Sequence, residues 1–211
     1  MKISFFKRIN TPVYLAFSGG VDSAVLLHLL VKRKVDVKLL FIHHRGNFCD
    51  EEQLFAENLS KELGIELLVK QIEAFKGPGS KEAYWSRERY KIFQAMDRMV
   101  LTGHHLDDAV EWYIMSTFQG TPKILEYQNN NVIRPLICTP KSKIYEYAQN
   151  RNLEHLSDPS NSDPNSGLRN KTRIKLMGSV HECYPGLRTT VCRLIREKEE
   201  NRKDNEPPGR N

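Results

Sequence analysis

Short, nearly continuous apolar runs alternate along the chain with longer stretches whose apolar residues recur every three or four positions. The first pattern predicts strands buried on both faces, the second helices that bury one side. Val13–Phe17 (VYLAF) opens the series as a strand, and Asp22–Lys32 follows as a helix. Val37–His43 (VKLLFIH) predicts a second strand. Glu51–Leu63 is helical, with Leu54, Phe55, Leu59 and Leu63 on one side and Gly64 as its stop. Ile65–Lys70 and Arg98–Thr102 predict a third and a fourth strand, separated by a Gly/Pro loop at Phe75–Ser80 and a helix over Lys81–Asp97. Beyond them come a helix over Leu106–Phe118, a short strand at Val132 and Ile133, and a helix over Lys141–Asn150. Ser157–Gly167 is a loop by its turn-forming residues. Leu168–Met177 and Gly186–Glu200 are helical, and the polar stretch Asn201–Asn211 is expected to fray. Strands alternating with helices predict an α/β fold, a doubly wound parallel sheet with helices on both faces and a short helical C-terminal extension.

With 211 residues, the chain is long enough for one such domain with a core of its own. No apolar run approaches the roughly 20 residues needed to span a bilayer. The four cysteines, Cys49, Cys138, Cys183 and Cys192, show neither Cys-x-x-Cys pairs nor zinc-finger spacing. Free thiols and a cytoplasmic location are the expectation. The net charge of +6 is unevenly spread: the first forty residues and the stretch Arg134–Arg188 are basic, while Phe41–Ile133 is acidic. That distribution suits either a polar site with a cationic rim for a phosphate-rich partner or ordinary solvated helix surfaces.

The run SGGVDS, Ser18–Ser23, sits between the first strand and the first helix. A small flexible loop at that junction turns backbone N–H groups toward an anion. Gly19 and Gly20 permit dihedrals that other residues avoid, Ser18 and Ser23 add hydroxyls, and Asp22 is an acid suited to a divalent metal beside phosphates. The loop lacks the Gly-Lys-Ser/Thr ending of a Walker A motif and the Gly-x-Gly-x-x-Gly spacing of a dinucleotide site. A bare Gly-Gly would make only a tight turn. SGGVDS in this setting resembles the signature of the PP-loop, or N-type ATP pyrophosphatase, family. That resemblance implies cleavage of ATP between its α- and β-phosphates, with AMP left on a substrate oxygen. It assigns ATP to Ser18, Gly19, Gly20, Val21, Asp22 and Ser23.

A second cluster, GHHLDDAVE (Gly103–Glu111), follows the fourth strand, where open α/β sheets gather their ligands. Asp108 and Glu111 lie three apart and Asp107 and Glu111 four apart, neighbours on a helix surface. Any one of these acids is also an ordinary partner for a helix N-terminus. The stretch resembles the HHxDDxxET motif of tRNA(Ile)-lysidine synthetases, with Trp112 in the place of the Thr. HHRGNFCDEE (His43–Glu52) is similar to their segment after the second strand. EAYWSRERY (Glu82–Tyr90) is similar to their Arg-x-x-Arg-Tyr helix, with Ser86 where the first Arg is expected. Late in the chain, Arg134-Pro135-Leu136, SDPSNSD and LRNKTR follow in the order of that branch. On their own, SDPSNSD is turn chemistry and Arg169 and Arg173 are one face of a surface helix.

What the resemblance implies is a ligase. A cytidine at the tRNA wobble position is adenylated at C2 through its oxygen, and L-lysine then attacks, releasing AMP. It implies catalytic roles for Asp22, His105, Asp108 and Glu111, and Mg²⁺ held by Asp22, Asp108 and Glu111. Arg89, Arg134, Asn161, Arg169, Asn170 and Arg173 fall on the substrate side, facing the anticodon loop of an isoleucine tRNA. Residues 1–180 correspond to the catalytic domain and 181–211 to the helical extension and tail. Alternatives are a PP-loop tRNA thiolase, an adenylating enzyme for another pyrimidine, and a nucleotide-binding module without catalysis.

Overall fold

The computed structural model describes residues 11–45, 48–157, 163–164 and 167–204. Among them the chain runs β1 (Val13–Ala16), α1 (Val21–Lys32), β2 (Val37–His43), α2 (Cys49–Leu63), β3 (Leu67–Gln71) and α3 (Lys81–Gln94). It continues through β4 (Val100–Leu101), α4 (Leu106–Phe118), β5 (Gln128–Asn129), β6 (Val132–Ile133) and α5 (Lys141–Asn150). Three helices close it: α6 (Leu168–Lys175), α7 (Met177–Cys183) and α8 (Leu187–Asp204).

The strands form one sheet in the order β3-β2-β1-β4-β6-β5, parallel except for the antiparallel β5–β6 pair. The alternation of side chains along each strand sorts the core into two layers. Val13, Leu15, Leu39, Phe41, Leu101 and Ile133 join the larger cluster. Tyr14, Leu40, Val100 and Val132 join a smaller one closed by Phe93 of α3. Both faces are therefore covered, as the nearly continuous apolar runs of β1 and β2 require.

The chain builds β1 to β3 toward one edge and then crosses back to lay β4 on the other side of β1, with Tyr14 opposite Val100. Between β1 and β4 the connections leave the strand ends in opposite directions, which opens a crevice at their carboxyl ends. SGGVDS follows β1 and GHHLDD follows β4, so both motifs border that crevice.

Several boundaries differ from the sequence expectation. Strand four shrinks to Val100–Leu101, and α3 ends at Gln94 rather than Asp97. β5 has no apolar residue to announce it; it is held by pairing with β6. The helix expected over Leu168–Met177 gives way to α7 at Leu176, whose φ of −117° departs from helical geometry. α8 runs past the expected Glu200 to Asp204, its last turn supported by the Arg202–Glu199 ion pair. Residues 205–211 lie outside the described part. Val191 and Ile195 of α8 are buried in the larger cluster, so this helix shares the core of the sheet domain.

Candidate active site

The loop after β1 is held open by its neighbours. Gly19 has φ +75°, a left-handed value that disfavours a side chain, and an added Cβ would stand 3.2 Å from Phe55 Cδ1 and 3.3 Å from Leu156 Cδ1. Its carbonyl accepts a hydrogen bond from Leu156 N at 2.9 Å, and Gly20 forms a parallel bridge with Leu156. Gly20 caps α1 without any side-chain bond to the first turn. Ser23 Oγ donates to Gly20 O at 2.9 Å and lies 3.4 Å from Ser18 N. The start of α1 thus keeps its N–H groups for an anion.

Asp22 stands in that first turn. Its Oδ1 is buried without a hydrogen-bond partner, 3.7 Å from His105 Nε2, and its Oδ2 is 3.5 Å from Lys141 Nζ. Both separations are longer than a good charge-assisted hydrogen bond. An enclosed carboxylate oxygen with nothing on it is costly, and a cation at that position would relieve it. Gly103 makes the juxtaposition possible: a Cβ there would lie 3.2 Å from Asp22 C, Asp22 Cβ and Ser23 N.

The two histidines after β4 have different surroundings. His104 shares a hydrogen bond with Thr102 Oγ1 through Nδ1 at 2.9 Å. Burial pushes its pKa down to about 3, and the opposing pull of Asp108 is outweighed by burial together with Arg134, Arg169 and Arg89. His105 caps α4: its Nδ1 accepts from Asp108 N at 3.3 Å, while Asp108 Oδ2 accepts from His105 N at 2.9 Å. With Nδ1 accepting, the neutral ring carries its proton on Nε2. That atom lies between Asp22 Oδ1, at 3.7 Å, and Asp108 Oδ2, at 3.5 Å.

The remaining acids are engaged by arginines. Asp108 Oδ1 accepts from Arg169 Nη2 at 2.5 Å. Glu111, buried one turn along α4, accepts from Arg173 Nε at 2.7 Å, Arg173 Nη2 at 2.9 Å and Arg169 Nε at 3.2 Å. Burial alone would raise the pKa of Asp108, but Arg169 and the backbone N–H of His105 hold it well below the usual carboxylate range. Asp107 behaves likewise, its burial outweighed by the Lys141 N–H at 2.7 Å and by Arg188 of α8. In return Arg169 and Arg173 are held firmly protonated: Asp108 and Glu111 outweigh burial at Arg169, and the Glu111 bonds do so at Arg173.

Asp22, His105 and Asp108 are therefore brought together, and Arg169 and Arg173 join them through α6. Glu111 has both oxygens on guanidinium groups. Arg134 lies elsewhere: it is 2 % exposed, with Nη1 donating to Glu126 O at 2.7 Å and Nη2 to Tyr90 OH at 2.5 Å. Expected on the substrate side, Arg134 instead ties the approach to the β5–β6 hairpin to α3 in the interior. Arg89 is exposed on α3, and Asn170 is half-buried beside Arg169. Asn161, with Asp158 and Ser160 of the same motif, lies outside the described residues. Two residues that join the site had not been singled out. Lys141 sits in the first turn of α5, where a cation opposes the helix dipole, and that misfit was its sequence signal. Arg188 carried no such signal.

The model of the PP-loop domain family matches residues 3–180. The chain belongs to the PP-loop family. Among curated relatives of this PP-loop chain, tRNA(Ile)-lysidine synthase of Persephonella marina is 31% identical over 201 residues, covering 86% of this chain and 44% of that protein. The tRNA(Ile)-lysidine synthase of Wolinella succinogenes is 30% identical over 200 residues, covering 88% and 60%. The chain thus spans about half the length of the curated relatives it matches. In fold it is similar to the U34-tRNA thiolase NcsA of Methanococcus maripaludis, with a TM-score of 0.69 at 18% identity over 90% of this chain and 73% of that one. Glutamine-dependent NAD+ synthetase of Acinetobacter baumannii shares it with a TM-score of 0.50 at 18% identity, over 95% and 43%. Among the described residues of this PP-loop chain, no helix is long and apolar enough to cross a membrane.

Proposed function

We propose that this PP-loop chain carries out the tRNA(Ile)-lysidine synthetase reaction. ATP activates O2 of a wobble cytidine in an isoleucine tRNA, pyrophosphate leaves, and the amine of free L-lysine attacks C2. The C2–O2 bond then breaks, AMP departs with that oxygen, and the amine gives up its proton to solvent or to a carboxylate at the crevice. The observation that carries the reading is the buried, unpartnered Oδ1 of Asp22 at the mouth of the SGGVDS loop. The similarity to lysidine synthases over most of the chain supports the choice of substrate.

The first-turn N–H groups of α1, with Ser18 and Ser23, bind the triphosphate. His105, with its proton on Nε2, acts as a donor toward the reacting phosphates. Lys141, 3.5 Å from Asp22 Oδ2, adds positive charge as pyrophosphate forms. The donor set fits Mg²⁺: hard carboxylate oxygens, one of them enclosed and unpaired, next to a phosphate cradle. Asp22 would hold the ion with Asp108, Glu111 joining where Arg173 releases an oxygen, and the bound ion would neutralise charge on the phosphates. Arg169, Arg173, Asn170 and Arg89 form the side that meets the RNA. Catalysis rests on positioning and charge, with no covalent bond to the protein.

The test is nucleoside mass spectrometry on isoleucine tRNA incubated with the chain, ATP, Mg²⁺ and isotope-labelled lysine. Labelled lysidine is expected. AMP release without it would assign the activation to another acceptor. Asp22→Ala should lower AMP formation ~10²–10³-fold with an unchanged circular dichroism spectrum; undiminished turnover in that variant would remove Asp22 from the site.

A further inference from the structure

Where β2 ends and α2 begins, the chain brings together three metal-ligating side chains to which the proposed ligase reaction assigns no role. These are His44, Cys49 and Glu52, whose ligand atoms all lie within 4.8 Å of one another. Cys49 is 1% exposed, and His44 and Glu52 are half-buried. Cys49 Sγ is 3.4 Å from His44 Nδ1. Two ligands of one tetrahedral zinc ion, at ordinary Zn–S and Zn–N lengths, stand about 3.6 Å apart. The pair is therefore already at the edge length of a coordination tetrahedron.

Two features place partial positive charge near the sulfur. Cys49 is the first residue of α2, at the positive end of the helix. The backbone N–H of His44 points at the same sulfur at 3.4 Å. The His44 ring stands edge-on to Trp85 with centroids 4.5 Å apart, which fixes its orientation from the α3 side. One sulfur, one imidazole nitrogen and one carboxylate oxygen match a borderline-soft divalent cation rather than Mg²⁺ or Ca²⁺.

We propose that His44, Cys49 and Glu52 form a binding site for a divalent cation of the zinc type, made of residues other than Asp22, Asp108 and Glu111. Binding replaces the thiol proton of Cys49, which passes to solvent, and the three side chains leave a fourth position for water or another ligand. The site clamps the start of α2, the helix whose Phe55 packs against Gly19. It stands on these three residues alone and is independent of the substrate the chain modifies.

Co²⁺ titration of the full chain, freed of metal by chelation, tests it. A thiolate-to-cobalt charge-transfer band in the near ultraviolet is expected, rising to one equivalent and erased by Zn²⁺. Cys49→Ser should abolish the band, His44→Gln and Glu52→Gln should weaken binding, and Cys183→Ser should leave it intact. Zn²⁺ should also raise the thermal midpoint of the wild-type chain and not that of Cys49→Ser. Circular dichroism at low temperature establishes that each variant is folded. A wild-type chain without the band, or a folded Cys49→Ser chain that keeps it, would overturn the proposal.

Discussion

His104 and His105 are adjacent in sequence and opposite in use. His105 turns its ring back onto the first turn of α4, whereas His104 bonds Thr102 and is kept neutral, its pKa pushed down to about 3 by burial. In the unfolded chain a histidine titrates near 6.5. The unfolded state therefore binds more protons between those values, and folding stability must rise with pH from about 3 to about 6.5. Urea unfolding across that range should show a midpoint that climbs with pH, and His104→Asn should flatten the climb. The depressed carboxyls of Asp107 and Asp108 act in the same sense at lower pH, their stabilisation present above the ordinary carboxylate pKa and lost as pH falls through their folded values. An unchanged slope in His104→Asn would assign the whole effect to those acids. The sequence marked both histidines, because two imidazoles after a strand-end glycine are chemically conspicuous. It could not separate them, since the difference lies in which ring nitrogen meets which backbone group.

The pairing of α4 with α6 belongs to the scale of elements. Glu111 is 4% exposed and is satisfied by the forks of Arg173 and Arg169, so the two helices are joined by charge rather than by an apolar seam. Removing Arg173 leaves the buried Glu111 carboxylate with only the single Arg169 bond, at a cost of up to about 3 kcal/mol. Arg173→Ala should lower stability by that order in chemical denaturation, and Glu111→Gln in the same chain should recover part of it. Weaker RNA binding with no loss of stability would instead make Arg173 a contact residue only. Arg169 and Arg173 were legible as one helical face, four positions apart. Their partners were not, because Asp108 and Glu111 are some sixty positions earlier. Local pattern explains β1, β2 and α4, whose apolar residues announce them. It is silent on β5, where Gln128 and Asn129 become a strand only because β6 offers an edge. The His44–Cys49–Glu52 cluster escaped for a similar reason: it needs the turn after β2 to close, and no cysteine pair advertised it.

At the scale of the whole molecule, one core carries both the crevice at the carboxyl ends of β1 and β4 and the last helices. Ile195 is 1% exposed in the larger cluster although the PP-loop family match ends at residue 180. Ile195→Ala should cost about 3 kcal/mol, read as a lower thermal midpoint, whereas exposed Arg193→Ala should leave it nearly unchanged. Equal, small effects would make α8 a peripheral attachment. Through Arg188 and Asp107 the same helix reaches within one turn of Asp108 and Glu111. The SGGVDS loop is bound to the later chain as well, at the Gly20–Leu156 bridge and the Leu156–Gly19 hydrogen bond. On the ribosome, residues 18–23 are made early and must wait for Leu156 to be synthesised before their backbone has its full set of neighbours. The backbone shape of this loop is therefore completed only once Leu156 has been made and has folded back onto Gly19.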